Sequence, residues 1–168
     1  MTSTPTASTH PAPSSPQDSC AGDDPHDVVE TRLWLEEHAW LYQLLRSENN
    51  ISPTFRFPDL IAACVSLVFA QQDAATRIFH FLGTQLVLRE PLTPRRREAM
   101  WWPQYELLLE LQRSPANRHP NPKFQLDQLT TACVALCQIA DDSGVQVLSQ
   151  ARRNMAERAQ QKRQMPSG

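Results

Sequence analysis

Pro53-Thr54-Phe55-Arg56-Phe57-Pro58-Asp59-Leu60-Ile61-Ala62-Ala63-Cys64-Val65-Ser66-Leu67 has a second, diverged copy in this chain. It returns 69 residues on as Pro122-Lys123-Phe124-Gln125-Leu126-Asp127-Gln128-Leu129-Thr130-Thr131-Ala132-Cys133-Val134-Ala135-Leu136. Between 53–73 and 122–142, eight of 21 positions are identical, where background composition gives about one or two. An internal repeat decides the architecture before any local pattern does.

Each copy reads as strand, helix, turn, helix. In 51–57, Phe55 and Phe57 alternate with Thr54 and Arg56, the period of a short strand. Pro58-Asp59 opens a helix with Leu60, Ala63, Cys64, Leu67 and Val68 on one face, Gln71-Gln72-Asp73 is a turn, and a second helix is expected over 73–89. The second copy repeats the order: a strand over 123–126, a helix capped by Asp127, a turn at Asp141-Asp142-Ser143-Gly144, and a long helix over 144–164. That last helix ends in Arg152, Arg153, Arg158, Lys162 and Arg163, cations that suit a helix C-terminus.

Outward from the repeat, residues 1–23 are Ser, Thr, Pro, Ala and Asp with almost no apolar side chain, and composition predicts a disordered tail. Asp24-Pro25 is a helix start, and the amphipathic segment 24–50 predicts a helix over 24–47. This helix either covers its own core or binds a protein partner. Residues 91–121 are an inserted helical segment with a loop. Within it Thr93-Pro94 starts a short helix through Arg95-Arg96-Arg97-Glu98, Pro103 breaks it at Trp102, and a helix over 103–113 follows. The chain therefore divides into 1–23, 24–50, the first unit 51–90, the insertion 91–121, the second unit 122–164 and a tail 165–168. The fold class is mainly α with a short two-stranded antiparallel β-ribbon.

Charge is unevenly spread. Residues 1–50 hold two Arg and eight acids, and the rest holds 14 basic and 10 acidic residues, within a net −2. Arg outnumbers Lys 14 to two, which favours bidentate recognition over point charge. The N-terminus has no export pattern, so a cytoplasmic chain with reduced thiols is expected. No apolar run is long enough for a bilayer span, and no membrane partner is expected. Cys133 and Cys137 lie four apart, but no further ligands complete a site, so core thiols are expected; Cys20 and His10 lie in the tail. His38, His80 and His119 have no nucleophile or carboxylate array around them, and with four glycines the chain has no phosphate loop. Neither an enzyme nor a cofactor or metal is expected.

A strand this short needs a partner. The repeat supplies one, and pairing across a pseudo-two-fold axis would turn Phe55, Phe57, Phe124 and Leu126 inward. Thr54, Arg56, Lys123 and Gln125 would remain on the wet face. A two-stranded ribbon fits the major groove, where Arg takes guanine and Gln takes adenine bidentately. The order strand–helix–turn–helix around Pro-Lys-Phe-Gln-Leu resembles the ribbon-helix-helix DNA-binding family, the Arc and MetJ class. A tandem copy in one chain is similar to the relaxosome accessory proteins of conjugative plasmids. The resemblance implies a single-chain pseudo-dimer that binds double-stranded DNA as a plasmid or mobile-element regulator or relaxosome factor. It also implies base reading by Thr54, Arg56, Lys123 and Gln125 and phosphate contacts at Ala74, Ala75, Ser143 and Gly144.

Arg95, Arg96 and Arg97 are read either as further phosphate contacts or as a solvated helix start, with Arg95 and Arg96 the phosphate candidates. Trp101-Trp102 either stacks on bases or packs within a core or subunit contact. The alternative function is a protein adaptor or antitoxin-like factor acting through 24–47, and a higher oligomer is compatible with both.

Overall fold

The computed structural model describes residues 27–89, 94–117 and 123–165. Its elements are β1 (Val28–Trp34), α1 (Leu35–Leu45), α2 (Phe57–Phe69), α3 (Ala74–Thr84), β2 (Arg95–Trp101), α4 (Trp102–Arg113), α5 (Leu126–Ala140) and α6 (Val145–Gln164), with a 3-10 turn at Leu86–Leu88. The protein is thus mainly helical with one two-stranded antiparallel sheet, and its order is strand followed by three helices, twice. The expected tail with His10 and Cys20, the helix start at Asp24-Pro25, and Pro122 and His119 lie outside the described residues.

The ribbon exists, but it is built from other residues. β1 pairs with β2, with Val28 opposite Trp101 and Trp34 opposite Arg95. Segments 51–56 and 123–125 are not strands, and helices begin at Phe57 and Leu126. The reason lies in where the backbone groups of the two phenylalanines go. Asn50, buried, accepts a hydrogen bond from Phe55 N (2.7 Å) and donates to Phe55 O (3.0 Å) and Leu45 O (2.9 Å). Asn117 does the same 67 residues on: it accepts from Phe124 N (2.9 Å) and donates to Phe124 O (3.1 Å) and Gln112 O (3.0 Å). A side-chain amide here does the work of a neighbouring strand, which meets the demand that buried backbone groups be paired. The next residues, Arg56 and Gln125, are extended N-caps. Arg56 N donates to the Asp59 carboxylate (3.0 Å) and Gln125 N to Gln128 Oε1 (2.8 Å), the reciprocal arrangement of a capping box.

The expected helix over 24–47 is a strand and then an 11-residue helix. Val29, Thr31 and Leu33 share one ribbon face, so the period is two until Trp34. Arg95-Arg96-Arg97-Glu98 is likewise strand rather than helix. Pro94, expected to start that helix, instead gives its carbonyl to Leu35 N (3.1 Å), which ties β2 to the start of α1. The helices expected after Pro58, Asp73, Pro103, Asp127 and Gly144 are present, although α3 stops at Thr84 rather than 89.

Packing is exchanged between the halves. α2 lies against β2 and α6, and α5 against β1 and α3. The two central helices pack on each other and are buried nearly all round: Leu60 through Val65 and Leu129 through Ala135 form the middle of the core, the condition of a helix with no wet face. Cys64, Cys133 and Cys137 are free thiols inside it, with Cys137 Sγ 3.5 Å from Cys64 O. Burial pushes the Cys64 and Cys133 thiols well above the ordinary range.

Candidate nucleic-acid interface

Side chains directly opposite in an antiparallel pair point to the same face. One face of the ribbon holds Val29 and Met100, Thr31 and Glu98, and Leu33 and Arg96. Most of it is turned to the helices. Leu33 and Met100 are fully buried, Thr31 Oγ1 meets Thr130 Oγ1 of α5 at 3.1 Å, and Glu98 meets His38 Nε2 at 2.8 Å. The His38 ring stacks on Phe57 with centroids 4.5 Å apart.

The other face holds Val28 and Trp101, Glu30 and Ala99, Arg32 and Arg97, and Trp34 and Arg95. Glu30, Arg32, Arg95 and Arg97 are exposed, while the two tryptophans that end the strands are buried. Arg97 Nε is 3.3 Å from Glu30 Oε1, with both side chains mostly in water, so the pair holds Arg97 only weakly. Arg95 Nε is 3.0 Å from Asp127 Oδ2, and its guanidinium lies over the Trp34 ring at 5.6 Å. Arg32 and Arg97 stand directly opposite each other. Like charges at opposed positions destabilise a ribbon unless an anion lies between them.

Each strand ends on a clasped tryptophan. Arg158 of α6 lies 4.0 Å from the Trp101 ring centroid and 3.3 Å from Asp59 Oδ1, and that same oxygen accepts the Trp101 indole N–H at 2.8 Å. At the other end Arg89 lies 5.7 Å from the Trp34 ring and pairs with buried Glu37 of α1 at 2.5 Å. Burial raises the Glu37 carboxyl above its ordinary value against the pull of Arg89.

The residues expected to read bases do not share a surface strand. Thr54 and Lys123 are exposed loop residues, with the Lys123 ammonium over the Phe124 ring at 5.3 Å, and Arg56 and Gln125 are helix caps. Of the phosphate positions, Ala74 is buried and Ala75 half-buried at the start of α3. At α6 the amide end already has a carboxylate: Asp141 accepts from Ser143 Oγ (2.5 Å) and Gln146 N (3.1 Å), and these bonds lower its pKa. Gly144 sits at φ +72°, and an added Cβ there would come within 2.5 Å of Leu44, so that glycine serves backbone geometry and packing. Arg95 and Arg96 are exposed at the start of β2. Of the two roles expected for 24–47, burial in the chain's own core is the one that the apolar residues Trp40, Leu41 and Leu44 of α1 take.

Arg32 and Glu30 lie outside the expected site, and Arg97 enters it as a strand residue rather than at a helix start. A signal for them existed in a second register. Trp34 and Trp101, Leu41 and Leu108, Leu44 and Leu111, and Asn50 and Asn117 are identical pairs 67 apart. Phe124 follows Asn117 by seven positions where Phe55 follows Asn50 by five, and this difference of two shifts the offset to 69 beyond it.

Among the described residues no group of three or more His, Cys, Asp and Glu is placed to hold a metal ion, and no helix is long and apolar enough to cross a membrane. No family model matches the chain, and neither a curated protein nor a solved structure matches it.

Proposed function

We propose that the protein binds double-stranded DNA by laying the β1–β2 ribbon in the major groove, as a single-chain pseudo-dimer of the ribbon-helix-helix kind. The observation that carries this reading is the exposed ribbon face, with Arg32 opposed to Arg97 and Arg95 beside them. A ribbon of this width enters the major groove, and arginine is the side chain that takes guanine O6 and N7 together. The opposed pair is a local excess of positive charge in a chain of net −2, and phosphate or base acceptors would relieve it. The two strands offer unlike sets, Val28, Glu30 and Arg32 against Arg95, Arg97 and Ala99, so the two half-sites differ in sequence. A role as regulator or accessory factor of a plasmid or mobile element fits such a reader.

Selection from a random duplex pool, followed by binding measurements on the enriched site, tests this. Arg32→Ala and Arg97→Ala should each lose about 1–3 kcal/mol and relax one base position. Arg56→Ala, at the cap of α2, should bind as the parent does. Affinity should fall steeply with salt. Failure to enrich any duplex at low salt, or parental binding by both ribbon variants, would overturn the reading.

A further inference from the structure

The C-terminal ends of α2 and α5 meet the first turns of α3 and α6 around a cleft of about 70 Å³. Its lining pairs off between the halves at the repeat offset of 69: Leu67 with Leu136, Val68 with Cys137, and Arg77 with Gln146. The cleft therefore lies where the two halves meet. It is far from the ribbon, because α2 begins beside Trp101, which donates to Asp59, and the helix rises about 14 Å from there to Val68.

The floor is apolar. Val68, Cys137 and Val147 are buried, and Leu67 and Leu136 are half-buried. The rim carries one cation and one acid, and the two differ in what they already hold. Asp141 has its carboxylate engaged: one oxygen accepts from Ser143 Oγ and the other from Gln146 N (3.1 Å). Half-buried Arg77 has no hydrogen bond or ion pair from its guanidinium among the described residues, and its counterpart Gln146 carries no charge. An unmet guanidinium beside an apolar floor suits a small anion with an apolar end, and the fork of arginine fits a carboxylate through two parallel N–H donors. Size limits the guest. An apolar cavity of about 150 Å³ takes benzene, so one of about 70 Å³ holds roughly half as many atoms.

We propose that this cleft binds a small monocarboxylate, of acetate to butyrate size, with its carboxylate on Arg77 and its alkyl end against Leu67, Val68, Leu136 and Val147. The site stands apart from the ribbon and needs no nucleic acid. Because both halves line it, a bound carboxylate touches both and stabilises the folded chain by mass action.

Ligand-observed NMR and thermal melts of the full chain with propionate test this. Propionate should give saturation transfer and raise Tm with its concentration. Propionamide, of the same shape without the charge, and propylamine, of the opposite charge, should each bind about tenfold or more weakly, the scale of a hydrogen bond to a charged group. Arg77→Gln should weaken propionate by the same factor, and Ala140→Phe, at the exposed rim, should close the cleft. Neither position is buried, so both variants should keep the parental fold. No saturation transfer from propionate, or parental binding by either variant, would overturn the proposal. So would equal binding of propionamide, or tighter binding of propylamine, which would assign the cleft to a cation at Asp141.

Discussion

The two ends of the ribbon are built from one repeat and held by different chemistry. Arg89 and Arg158 stand 69 residues apart, and each lies over the tryptophan that ends a strand. In the first half Arg89 finds its carboxylate in α1, Glu37, which is 1% exposed. In the second half the position equivalent to Glu37 is Gln104, which donates to Ser66 Oγ at 3.2 Å and gives an arginine no charge to meet. Arg158 turns instead to Asp59 of α2, an element of the other half. One end is therefore clasped within its own half by a deeply buried ion pair, the other across the halves by a carboxylate that also serves as a helix cap. The two halves share the cation over the indole and draw the counter-charge from different places.

The largest expected difference follows from burial. Arg89→Met leaves Glu37 uncompensated in the core and should cost about 3–5 kcal/mol at neutral pH. Arg158→Met leaves Asp59 with the Trp101 indole N–H and the Arg56 backbone N–H still donating to it. It should cost less, about 1–2 kcal/mol, the scale of one hydrogen bond to a charged group. Urea unfolding of both variants measures this, and equal costs would mean the two clasps are energetically alike despite their different partners.

The asparagine brackets, by contrast, should behave as equals. Asn50→Ala and Asn117→Ala each strip the N–H and C=O of the following phenylalanine of their partner in a closed setting, for about 1–3 kcal/mol apiece. Asn50 and Asn117 are each 3% exposed, so water does not readily replace them. A large cost at one and none at the other would show that the two halves are not structurally equivalent at this joint.

These brackets also mark the limit of what the sequence makes legible. The apolar faces of 57–69, 126–140 and 145–164 announce their helices, because burial of one stripe at helical spacing leaves few alternatives. A two-stranded ribbon was expected from a repeated alternating stretch that forms none, and the ribbon present is made elsewhere. Phe55 and Phe124 alternate with polar residues because the chain is extended before a capped helix, and an asparagine side chain then stands in for the missing strand. The true strands were masked by charge and by spacing: Arg95-Arg96-Arg97 follows Thr93-Pro94, a good helix start, and the matching tryptophans sit in a register two residues off from the obvious one. The arginines of the proposed interface became visible only once β1 and β2 were paired.

The smallest expected effect is a pH dependence at the first clasp. Burial holds the Glu37 carboxyl above its ordinary value even with Arg89 beside it. A carboxyl whose pKa is raised by folding binds its proton more tightly in the folded state, so its contribution to stability is fully present below the unfolded value and declines as pH rises through the folded value. Stability of the parent relative to Glu37→Gln should therefore rise as pH falls from neutral through the raised value, then level off once the ordinary glutamate range is passed. In Arg89→Met the gain on acidification should be larger, because only a backbone hydrogen bond then opposes burial, and part of that variant's deficit should return in acid. Thermal melts of the three proteins across that pH range provide the readout. A parent that loses ground to Glu37→Gln on acidification would mean that the attraction of Arg89 outweighs burial at this clasp.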